Sequence, residues 1–198
     1  MEQSNKYLIM KMINDNLSDY VLNIDNLRHL VRYQTAPRVA SESVAEHSFF
    51  VAAYVLKLHD YYDFNLEKAL KMAILHDFSE VYISDVPHPI KVKFPDVDNV
   101  LTNAEYNVNK EHISEDFAEM LKEFNDRTSP EGCAVALADI MSVLSYAKYE
   151  IELGNSKYMQ NVYKDAKERY INLIYMMKDF QIDKSRDMVK FTIDFLKK

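Results

Sequence analysis

Two adjacent residues near the middle of the chain, His76 and Asp77, are the ones whose types and spacing suggest chemistry. On a helix neighbouring side chains point about 100° apart, so an imidazole and a carboxylate side by side can grip one metal ion. Glu80 lies four residues after His76 and three after Asp77, on the same face and one turn along. A carboxylate there would stand beside whatever the ion holds. The dipeptide alone carries little weight, because a second pair, His59-Asp60, is also present. The case rests on other residues that point to the same place.

Those residues need elements to position them. Ser43-Val44-Ala45-Glu46 reads as a capping box, and the helix it opens places Val44, Val51, Tyr54, Val55 and Leu58 on one stripe. His47 falls on that stripe. A histidine on an apolar face is more often a core residue bonded to a carbonyl than a ligand. His59 stands off the stripe near the helix end, where a cation at the negative pole explains it. The spacing of Leu66, Leu70, Ala73, Asp77 and Val81 predicts one helix from about Leu66 to Tyr82. Ser129-Pro130-Glu131 starts another, which Gly154-Asn155 ends. Along it Asp139 is the only charge between Cys133 and Ala147. Three helices thus present polar groups on apolar faces: His47, His76-Asp77 and Asp139. Buried together they need partners, and a divalent cation is the cheapest common one. Two imidazoles and two carboxylates would leave coordination positions for water and substrate.

Elsewhere the pattern is plainer. An apolar cluster within residues 6–15 predicts a short helix docking on the core, and residues 20–33 read as a helix capped by Asp25. Arg32 and Tyr33 would then sit at a helix end, able to reach into a cleft. Pro87, Pro89 and Pro95 predict a rigid, non-helical loop over residues 85–98, of the kind that binds substrate, with Lys91, Lys93 and His88 in it. Residues 99–124 read as one or two polar-faced helices, with no evident partner for His112. Residues 156–180 and 183–198 carry Met, Leu, Ile and Phe at helical spacing, for which core packing is a sufficient explanation.

Only 2 glycines and 5 prolines in 198 residues leave little material for hairpins, a P-loop or a dinucleotide fingerprint. The expected fold is all-α, one domain over 1–198, with the motifs in a core of about 25–155 and helices in 156–198 packed on it. A net charge of -7 disfavours a nucleic-acid partner. The single Cys133 excludes an intrachain disulfide and a thiolate zinc cluster. With no signal peptide and no long apolar run, the expectation is a cytoplasmic protein without a membrane partner.

The order His…His-Asp…Asp on successive helices resembles the HD-domain superfamily of metal-dependent phosphohydrolases. The details are similar to its small bacterial 5′-deoxynucleotidases, the YfbR-like proteins. The matching pieces are Arg32-Tyr33, ESVAEHS at 42–48, HDFSE at 76–80, DVPHPIK at 85–91, AD at 138–139 and GN at 154–155. The resemblance implies an HD-domain helical bundle in which His47, His76, Asp77 and Asp139 hold one divalent ion (Co, Mn, Zn, Mg or Fe). Asp77 would count with Glu80 as catalytic, Glu80 orienting or deprotonating the attacking water. Arg32 would bind the phosphate, Asp85 the sugar 3′-hydroxyl, and Lys91 would belong to the substrate site. Relatives carry tryptophan at the position of Tyr33, where the ring packs on the sugar and disfavours a 2′-hydroxyl; this chain has no tryptophan. The implied reaction removes the 5′-phosphate from (deoxy)nucleoside monophosphates, and the implied assembly is a homodimer or higher homo-oligomer. Two alternatives stand beside it. One is a deoxynucleoside triphosphate triphosphohydrolase or pyrophosphohydrolase using the same site, with Lys91, Lys93 and Arg38 for the outer phosphates. The other is a non-catalytic binding module that keeps the fold.

Overall fold

The computed structural model describes residues 2–12, 23–177 and 194–195. Its helices are α1 (Glu2–Met12), α2 (Val44–Leu58), α3 (Leu66–Leu75), α4 (Glu80–Ile83), α5 (His88–Lys93), α6 (Pro95–His112), α7 (Glu115–Asp126), α8 (Pro130–Glu152) and α9 (Ser156–Met177). The fold is all-α: among the described residues the one β contact is an isolated bridge between Val31 and Ser43.

The 23-residue α8 is the axis. A helix apolar on all sides is stable only with neighbours all round it, and α2, α3, α7 and α9 supply them. Buried Ala134, Ala136, Ala138 and Ala147 keep its surface low enough for close packing. Ser129 caps α8 by accepting from the Gly132 N–H at 3.1 Å, and Pro130 occupies the first turn, where its missing N–H is no loss. Gly132 permits a tight approach, since a Cβ there would lie 2.5 Å from the Glu123 carbonyl oxygen. At the far end Gly154 takes φ 102°, a left-handed turn that stops the helix. The capping box of α2 is formed in full, Ser43 and Glu46 exchanging hydrogen bonds.

Several elements differ from the sequence reading. α3 stops at Leu75 with His76 as its C-cap, and the chain turns through 76–79 before α4 begins at Glu80. Bonds from Phe78 N–H to Leu75 O and from Glu80 N–H to Asp77 O tighten this turn while Phe78 is buried completely. The segment 85–98 is mostly helical. Pro89 and Pro95 sit in the first turns of α5 and α6, which proline tolerates, so within this segment only 85–87 and residue 94 stay irregular.

α1 forms, but the side chains of Tyr7, Leu8, Ile9 and Met10 are exposed rather than packed on the core; residues 13–15 lie outside the described residues. Of the helix expected over 20–33, residues 23–26 are helical and 20–22 lie outside the description. The chain then pairs with the approach to α2, Arg32 N–H donating to Glu42 O and Val44 N–H to Leu30 O, each at 2.9 Å. Arg32 and Tyr33 therefore leave a backbone bridge rather than a helix end. α9 buries Met159, Ala166, Tyr170, Leu173 and Met177. Most of 183–198 lies outside the described residues; within 194–195, which are helical, Phe195 meets Tyr54 and Tyr170 with ring centroids 6.0 Å apart. No described helix is long and apolar enough to cross a membrane.

Candidate active site

α2, the end of α3 and the middle of α8 converge on one point. There the ligating atoms of His47, His76 and Asp77 all lie within 4.8 Å of one another. His47 Nε2 is 3.1 Å from Asp139 Oδ1 and 3.6 Å from Asp77 Oδ2, and His76 Nε2 is 3.2 Å from Asp77 Oδ2. The far side of each ring is fixed: His47 Nδ1 meets Ser142 Oγ, and His76 Nδ1 meets the Ala73 carbonyl, each at 3.0 Å. A carbonyl only accepts, so in the neutral His76 ring Nδ1 carries the proton and the Nε2 lone pair faces the cluster. Both Nε2 atoms are buried without a hydrogen-bond partner among the described residues. Lone pairs and carboxylate oxygens aimed at each other across 3 to 4 Å repel unless positive charge lies between them. This donor set fits a divalent cation.

The electrostatics agree. Burial, helped by the Arg32 charge, pushes His47 down to about 4 against the pull of Asp139 and Asp77, so the ring is neutral near pH 7. Burial opposes charge on His76 too, but Asp77 outweighs it and the ring is held above its usual value. Burial would raise both acids; contact with His47 instead holds Asp139 at about 2, and His76 holds Asp77 well below the carboxylate range. Glu80 is pushed up to about 10, by burial and then by the charges of Asp77 and Asp85. The cluster attracts positive charge, and Glu80 beside it attracts a proton.

A pocket of about 460 Å³ opens above this floor, and Arg32, Tyr33, Asp77, Glu80, Asp85, Lys91 and Asp139 line it. Every site residue predicted from the sequence therefore comes to this floor or its walls. Arg32 stays charged: burial opposes the charge, but Tyr33, Asp77, Glu42 and Asp139 together raise its pKa. Behind it the buried Glu42 holds a carboxylate oxygen 3.5 Å from the guanidinium. Tyr33 takes φ 57°, unusual for a residue with a Cβ, and stacks on Tyr146 at 5.0 Å. Ser84, next to Asp85, also has positive φ, at 67°. Burial raises Asp85 against the pull of Arg32. Lys91 reaches the pocket but donates to Glu105 at 3.2 Å.

Three further histidines sort themselves. His88 opens α5 and lines the pocket, in a segment expected to bind substrate. His59 caps α2 and meets Phe64 edge-on, while His112 stacks on Tyr82 at 4.4 Å, the partner its sequence context did not reveal. The sequence reading missed Glu42 and the contribution of α9, where Tyr158, Asn161, Asp165 and Arg169 line the pocket. Polar residues at helical spacing beside the Met-rich stripe were the available signal.

A helical bundle that closes on buried imidazoles and carboxylates defines a class, that of helical metal-binding domains. The family model described as HD domain matches residues 24–184, and the chain belongs to that family. A 5′-deoxynucleotidase of Pasteurella multocida is 28% identical over 191 residues, covering 89% of this chain and 93% of its own length. A crystal structure of a Pyrococcus horikoshii protein, 31% identical, superposes with a TM-score of 0.68 over 85% of this chain and 98% of that one. The fold is also that of a cyanophage S-2L HD phosphohydrolase bound to dA and one catalytic Zn2+ ion: 17% identity, TM-score 0.62, covering 89% of this chain and 96% of the other.

Proposed function

We propose that the protein is a cytoplasmic, metal-dependent phosphomonoester hydrolase that removes the 5′-phosphate from deoxynucleoside monophosphates. The observation that carries this reading is the pair of buried, unpartnered Nε2 atoms facing two carboxylates at the floor of a pocket walled by Arg32. The similarity to 5′-deoxynucleotidases over most of both chains supports the substrate class.

His47, His76, Asp77 and Asp139 would hold the ion. When bound, it supplies positive charge that acidifies water, offsets charge growing on the phosphoryl oxygens and relieves the repulsion of Asp77 on Glu80. Imidazoles in the donor set favour a transition ion over magnesium. Arg32, held charged, clamps the phosphate with its planar fork. Glu80 orients the attacking water and takes its proton as the water oxygen bonds to phosphorus and the bond to O5′ breaks. That proton then passes to the departing O5′, giving nucleoside and inorganic phosphate. Tyr33, braced on Tyr146, packs against the sugar, and Asp85 meets the 3′-hydroxyl.

A triphosphate would need cations for its outer phosphates. Lys91 is engaged by Glu105, Arg38 by the Tyr33 carbonyl and Arg169 by Asp165, while Lys93 lies over the Phe94 ring, which favours the monophosphate. The test is a panel of deoxynucleoside mono-, di- and triphosphates with products resolved by chromatography. Inorganic phosphate and nucleoside from the monophosphates are expected. Inorganic triphosphate from the triphosphates, with monophosphates untouched, would overturn the assignment.

A further inference from the structure

α9 carries two stripes. Met159, Ala166, Tyr170, Leu173 and Met177 face the core. About 90° round the helix, Tyr158, Asn161, Val162, Asp165 and Arg169 form a second row that lines the same pocket as Asp77 and Asp139. This second row is chemically mixed: a phenol ring, an amide, an aliphatic side chain and an ion pair, Arg169 Nε lying 3.2 Å from Asp165 Oδ2. Val86, Pro87 and His88 also line the pocket, from the segment that follows α4.

Such a wall does not suit a second phosphate. The Arg169 charge is matched by Asp165, and an anion there would meet that carboxylate. Rings and aliphatic groups with a few directional polar atoms suit a flat heteroaromatic ring. Asn161 is exposed to the pocket, and its amide has no hydrogen-bond partner among the described residues. An amide offers donor and acceptor side by side, the pattern that pairs with a base edge.

We propose that this row of α9 is the nucleobase wall of the pocket, with Asn161 as the specificity-determining residue that reads the base edge. The inference rests on the 5′-nucleotidase reading and adds the part of the substrate that the metal floor does not touch.

The experiment compares kcat/KM for the four deoxynucleoside monophosphates with that for deoxyribose 5-phosphate, which keeps phosphate and sugar but lacks a base. The parent enzyme should prefer the nucleotides. Asn161→Ala should lower that preference about three- to tenfold, the worth of a neutral hydrogen bond, and Asn161→Leu should also compress the spread among the four bases. Arg32→Ala should weaken all five substrates alike and leave the preference standing. An unchanged nucleotide preference and base order in both Asn161 variants would overturn the base wall while leaving the nucleotidase reading intact. A parent enzyme that hydrolyses none of the five would overturn both.

Discussion

Asp139 and Glu150 are acids on the same buried helix, eleven residues apart, which puts them within about 20° of the same face. Glu150 is wholly buried, yet its carboxylate accepts from the N–H groups of Val39 and Ala40 and from the Asn155 amide. Burial would raise its pKa, and these donors bring it below the usual value instead. Tyr146 OH donates to the Ala40 carbonyl at 2.8 Å and Asn155 to the Pro37 carbonyl at 2.8 Å, so the loop after Tyr33 is strapped to the end of α8. Among the described residues Asp139 has no such backbone or amide donors. It faces the Nε2 of His47 with Asp77 close by. Donors that match its lone pairs make a buried acid an anchor, whereas competing acceptors around it suit a cation.

Substitutions at the two acids and at Glu80 separate these roles. Asp139→Ala should abolish measurable phosphate release while leaving the helical circular dichroism spectrum intact; turnover near the parent rate would remove Asp139 from the chemistry. Glu80→Ala should retain the metal and lose turnover on the order of a hundredfold, the size expected for a lost acid-base group. Stopped assays on the metal-loaded variant would expose Glu80 as a bystander if its kcat matched the parent.

Glu150→Ala should sharpen the contrast from the other side. It leaves three donors without their acceptor and should lower the unfolding free energy by about 3 kcal/mol in urea titrations. Metal content and most of the turnover per folded molecule should survive. Equal stability of the two proteins would mean the strap contributes nothing.

The smallest effect is a pH dependence. Burial pushes Glu42 from the usual 4.5 up to about 7 in spite of Arg32. The folded state then holds more protons than the unfolded one between these values, so the contribution of Glu42 to stability falls as pH rises through that window. Glu42→Gln lacks this fall, and its stability relative to the parent should improve between pH 5 and pH 8. A constant offset at the two pH values would show that Glu42 is not perturbed.

The convergence of His47, His76-Asp77 and Asp139 was foreshadowed in the sequence because they broke strong local patterns: a charge in the apolar run of α8, a histidine on the apolar stripe of α2. The capping box at Ser43 and the start at Ser129-Pro130 were legible because helix ends have their own chemistry. The break at 76–79 was not, since the apolar spacing continues through it to Val81 and only the burial of Phe78 and i+3 bonding tighten the turn. Prolines in 85–98 read as helix breakers, although Pro89 and Pro95 fall at helix starts, a distinction that depends on where the chain turns. The bridge at Val31 and the role of Glu42 depend on two segments meeting in space, which no local pattern encodes.

If a cation belongs between His47, His76, Asp77 and Asp139, while Glu150 needs none, the two acids should differ in what their loss does to bound metal. Elemental analysis of the purified parent, Asp139→Ala and Glu150→Ala proteins tests it directly. About one divalent transition ion per chain is expected in the parent and in Glu150→Ala, and none retained by Asp139→Ala. Full occupancy in Asp139→Ala, or a parent protein that hydrolyses substrate at full rate after exhaustive chelation, would contradict it.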